Sequence, residues 1–115
     1  MAPPRYRVII TGQGIFIPAA QGGEPARAFA TTRFVRASTE EEASALALAS
    51  VKRTWEAEPE FKNSPRPELA VAFIARVRSP LKRSRPNAGH SFVHDTADLP
   101  EAIEIEKAAS SGWLL

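Results

Sequence analysis

At 115 residues, with 43% hydrophobic and 24% charged side chains, the chain has the size and composition of one globular domain, 1–115, with apolar material for a single modest core. It has no cysteine, which excludes a disulfide scaffold, a thiol nucleophile and thiolate zinc sites, and which fits a reducing, cytoplasmic setting. The net charge of +2 is what remains of four alternating blocks: residues 1–36 and 63–91 are basic, residues 37–62 and 92–115 acidic.

Met1-Ala2-Pro3-Pro4-Arg5 has no apolar stretch, so a secretory signal is not expected, and no apolar run is long enough to span a bilayer. Tyr6, Val8 and Ile10 alternate with Arg5, Arg7 and Ile9, a strand pattern. Gly12-Gln13-Gly14 interrupts it before Ile15-Phe16-Ile17, which predicts one strand with a glycine bulge or two strands around a tight turn. A phosphate-binding loop would need a third glycine and a helix there, and neither follows. Ala28–Ala37 is the next strand, with Phe29, Thr31, Arg33 and Val35 on one face and Ala30, Thr32 and Phe34 on the other. An inward-facing Arg33 would require a compensating carboxylate or an anion.

Ser38-Thr39-Glu40-Glu41-Glu42 opens a helix. Ser38 with Glu41, or Thr39 with Glu42, makes a capping box, and three carboxylates sit at the positive end of the dipole. Ala43, Ala47, Leu48, Val51 and Trp55 fall on one face at helical spacing, and Glu58-Pro59 ends the helix after about five turns. Leu69–Val77 alternates as a strand, with Leu69, Val71, Phe73, Ala75 and Val77 on one face. Arg78–Gly89 is a polar connection and Ser91–His94 a short strand. The tail supports two readings. Ala102–Lys107 alternates like a strand, whereas Leu99-Pro100-Glu101 starts like a helix. The expected fold is therefore α+β: a mainly antiparallel sheet of four to five strands, with one long helix packed on it, in the order β-β-α-β-β plus a C-terminal element.

Phe29, Thr31-Thr32-Arg33-Phe34-Val35 and Ala37, followed by Glu41-Glu42-Ala43, resemble a pattern in small uncharacterised bacterial α+β proteins, in which an aromatic-led strand feeds a capped helix. Asn87-x-Gly89-x-x-Phe92 is similar to their closing strand. The resemblance covers part of the chain and implies no activity. Short strands carrying a helix also resemble a variant Sm-like small barrel, with the helix after the second strand; that resemblance implies oligomerisation and RNA binding.

Two groups of side chains carry candidate chemistry. Arg76, Arg78, Lys82, Arg83 and Arg85 leave a strand and enter a loop, where arginines can pair with phosphates along a nucleic-acid backbone. Such a site also needs exposed rings for base stacking, and Phe92 and Tyr6 are the candidates, each of which fits a core position equally well. His90 and His94, with Asp95 and Asp98 nearby, are a candidate metal pair that lacks a third ligand elsewhere. No nucleophile–base pair is assembled, because Ser91 and His90 point to opposite faces of a strand, and no catalytic residue or cofactor is assigned. The expectation is a non-enzymatic binding or self-assembly module, with an RNA- or DNA-binding module as the alternative. The apolar Trp113-Leu114-Leu115 end favours a homo-oligomer, a dimer first, and no membrane partner is expected.

Overall fold

The computed structural model describes residues 3–19, 22–77 and 90–111, with side chains through Ala109. The elements run β1 (Arg5–Ile17), β2 (Ala26–Arg36), α1 (Glu40–Ala57), β3 (Glu68–Val77), β4 (His90–Val93) and α2 (Leu99–Ser111), with 3₁₀ turns at Pro59–Phe61 and Thr96–Asp98. The α+β class and the element order match the sequence pattern, and the C-terminal element is a helix. Asp95 leads into it: its carboxylate accepts from the Ala97 N–H at 3.0 Å, and Pro100 occupies the first turn, where a missing N–H costs nothing. Trp113-Leu114-Leu115 lie outside the described residues.

The four strands form one sheet in the order β3-β1-β2-β4, and every pairing is antiparallel. β3 and β4 are opposite edges, and among the described residues no pairing joins them, so the variant Sm-like barrel gains no support. β1 runs unbroken through Gly12 and Gly14. Gly14 takes φ +80°, and the β1–β2 register shifts between Gln13 and Ile17, so the glycine reading resolves to a bulge within one strand.

Side-chain alternation sends β1 and β2 to two cores. Tyr6, Val8, Ile10 and Phe29 meet Ala43, Ala47, Val51 and Trp55 of α1. Ile9 and Ala30 meet Ala102 of α2, with Phe73, Val93 and Ile103 packed around them. Both faces of the sheet are thus covered, giving three layers where one helix on one face was expected. The second layer explains why neither face of β2 is polar: each has a helix to bury against.

β3 departs from its sequence pattern. Ile9 pairs with Phe73 and Ile10 with Val71, which leaves Ala72 as an extra residue, a β-bulge. The bulge switches the faces halfway along the strand. Leu69, Val71 and Ile74 pack toward α1, while Phe73 turns to the α2 side. There the Phe73 ring lies beneath two cations, Arg7 Cζ at 5.1 Å and Lys107 Nζ at 4.8 Å from its centroid.

The capping box of α1 settles on Thr39 with Glu42. Thr39 Oγ1 accepts from the Glu42 N–H at 3.1 Å, and the Glu42 carboxylate reaches back to the Ser38 N–H at 3.2 Å. Glu58, extended ahead of Pro59, closes the helix.

Candidate nucleic-acid interface

β2 places three consecutive polar residues, Thr31, Thr32 and Arg33, in the middle of the sheet, all buried. Arg33, 2% exposed, lies on the α1 side. Its Nη1 donates to Thr31 Oγ1 at 3.0 Å and to the Thr32 carbonyl at 3.2 Å, and its Nη2 to Thr54 Oγ1 on α1 at 3.5 Å. Burial lowers the Arg33 pKa, and the negative charge of Glu106 opposes that shift. Glu106 sits on the other side of the sheet and is itself buried. Its Oε1 accepts from Thr32 Oγ1 at 2.6 Å and its Oε2 from Ser91 Oγ, which ties α2 to both β2 and β4. Helical spacing from Leu99, Ala102 and Ile103 puts position 106 on the buried face, so a helical reading of the tail would have marked Glu106 as an acid needing partners.

On the α1 side of β4, five rings cluster. His90 lies edge-on to Phe29 at 4.7 Å and to Phe61 at 5.6 Å, and stacked on Phe92 at 5.4 Å; Trp55 stacks on Phe61 at 4.2 Å. The enclosure buries His90 Nε2 with no hydrogen-bond partner among the described residues. Burial, and then the positive charge of Arg33, push the His90 pKa down to about 4.

The two aromatic candidates separate. Tyr6 is a core residue, 7% exposed, while Phe92 on the β4 edge is 40% exposed. Arg76 is exposed near the end of β3, opposite Tyr6, and therefore projects from the same sheet face as the Phe92 ring. Arg78, Lys82, Arg83 and Arg85 lie outside the described residues. In sequence, the rest of the basic run lies between the exposed Arg76 on one edge strand and the exposed ring on the other, and those edges are three strand spacings, about 14 Å, apart across the sheet. Register adds to the basic end. Arg5 and Arg36 are directly opposite in the β1–β2 ladder. They project from the α2 face, opposite to Arg76, and Arg36 Nη1 donates to the Pro3 carbonyl at 3.1 Å. The acidic start of α1 does not neutralise this end at close range: among the described residues neither Arg36 nor Arg76 has a carboxylate within 4.0 Å.

The two candidate metal ligands are not brought together. His90 points into the ring cluster, whereas His94 is exposed with Nδ1 3.2 Å from the Pro25 carbonyl. Four residues of extended chain separate their Cα atoms by about 13 Å. Among the described residues no three His, Asp or Glu side chains converge as a metal site would require. No helix among the described residues is long and apolar enough to cross a membrane.

No family model matches the chain, and neither does any curated protein or solved structure.

Proposed function

We propose that this chain is a non-enzymatic binding module whose ligand is single-stranded RNA or DNA. The observation that carries the reading is the exposure of Phe92 on the strand that directly follows the basic run, on the same face as Arg76. Arginines supply phosphate contacts, and an exposed ring supplies the face on which a base stacks, a contact worth about 1–3 kcal/mol. Arg5 and Arg36 lie at the same end of the sheet as Arg76 but on its α2 face, and so stand apart from this surface.

Anisotropy of a labelled oligonucleotide at low salt tests this. Binding should weaken steeply with salt, as phosphate contacts require. Phe92→Ala should weaken it by roughly tenfold, the loss of one stacked base. Charge reversal of Arg76 with Arg83 should abolish it, while reversal of Arg53, exposed on α1, should not. Absence of any low-salt affinity would end the reading.

Self-assembly is a second reading, favoured by two exposed apolar residues on the helices, Leu46 and Ile105. Removing residues 113–115 should then lower the native mass from dimer to monomer. A mass that does not change would remove the tail from the interface.

A further inference from the structure

A cavity of about 560 Å³ opens between the second half of α1 and the start of β3. Its floor is apolar, made by Leu48, Trp55, Pro67 and Leu69. Two cations stand at its rim from different elements: Lys52 on α1 and Arg66 on the segment ahead of β3. We infer that this cavity binds a small carboxylate with an apolar body, the acid group held between Lys52 and Arg66 and the body over Trp55 and Leu69.

Three features support this occupant. First, the volume lies within the range of small-molecule sites, and the lining has the usual form of an apolar bed with a few charged groups. Second, the rim charge is unbalanced. Among the described residues Glu56 is the one acid lining the cavity, and neither Lys52 nor Arg66 has a carboxylate within 4.0 Å, although Glu56 stands one turn from Lys52. Third, the segment bearing Arg66 is held in place before any ligand arrives. Pro65 and Pro67 flank it and fix φ at both neighbours, and Ser64 Oγ accepts from the Phe16 N–H at 3.0 Å. A fixed backbone at this position leaves less freedom to lose on binding, and the guanidinium fork matches the two oxygens of a carboxylate. This site is separate from the β4 surface and does not depend on nucleic-acid binding.

The test is a titration of the ¹⁵N-labelled full chain with 3-phenylpropionate, followed by the Trp55 indole N–H signal. A saturable shift at millimolar ligand is expected. 3-Phenylpropanol, of the same shape without the charge, should bind about tenfold more weakly, the loss of a charge-assisted contact. Lys52→Gln and Arg66→Gln should each weaken the acid and leave the alcohol unchanged; both positions are exposed, so the fold should survive. Phenylalanine distinguishes the source of the ligand. Tighter binding than phenylpropionate assigns Glu56 to an ammonium and the site to amino acids, and weaker binding assigns it to simple acids. No saturable shift with either acid, or equal affinity for acid and alcohol, overturns the inference.

Discussion

The ring of Phe29 occupies the place where a side chain at Gly12 would begin: a Cβ there would lie 2.3 Å from both Cε2 and Cζ of the ring. The two residues are directly opposite in the β1–β2 ladder, so neither can retreat without disturbing the pairing. Phe29 is fully buried and stacks on Trp55 at 5.5 Å, which closes the other route of escape. Gly12→Ala should cost about 1–3 kcal/mol, the cost of overpacking, in denaturant unfolding. In a Phe29→Leu background the same change should cost less, because the smaller side chain yields the space. Equal cost in both backgrounds would mean the ring is not the obstacle.

Among the described residues Arg33 and Glu106 are the two buried charged side chains, on opposite sides of β2, joined through the hydroxyl-bearing pair Thr31 and Thr32. Glu106→Gln removes the charge that opposes Arg33's desolvation and weakens two hydroxyl contacts. A loss of about 1–3 kcal/mol is expected. The loss should shrink in an Arg33→Met background, where no buried cation remains to balance. Additive losses would show the two charges to be independent.

His90 makes stability depend on pH. Its folded pKa of about 4 lies below the ordinary value of 6.5, so between those values the unfolded chain binds a proton that the folded chain refuses. The contribution is intact above 6.5 and is lost as pH falls toward about 4. Thermal melts across this window should show a falling Tm, and His90→Phe, which keeps a ring in the cluster, should flatten the fall. An unchanged slope in the variant would place the titrating group elsewhere.

Thr39 caps α1, and Thr39→Ala should cost about 1 kcal/mol in denaturant unfolding. Ser38→Ala should cost little, because Ser38 takes part in the cap through its backbone N–H. The reverse order would move the cap by one residue.

Local chemistry made much of this fold legible in the sequence. The cap at Thr39, the stop at Pro59 and the alternation in β1 and β2 all report constraints that act within a few residues, and each is met. The missed features act at longer range. Ala72 looks like an ordinary small residue in an apolar strand, and only pairing with Ile9 and Ile10 shows it to be extra. The tail alternates in Ile103 and Ile105, but the helix buries Ala102 and Glu106 and leaves Ile105 53% exposed. At the candidate interface, composition singled out the basic run and named Phe92 and Tyr6 together. Telling the surface ring from the core ring required knowing that Phe92 lies on an edge strand and Tyr6 between two neighbours.

The bulge at Ala72 also bears on what β3 can do as a sheet edge. A ten-residue strand with an open side is a template on which another copy could stack. Here the template is inconsistent along its length: the side that carries Leu69 and Val71 carries Ile74 next, and the side that carries Phe73 begins beyond the extra residue. An incoming straight strand that matched its side chains to one half would present the wrong side to the other. One inserted alanine therefore makes this edge, unpaired among the described residues, a poor template for fibre-like stacking.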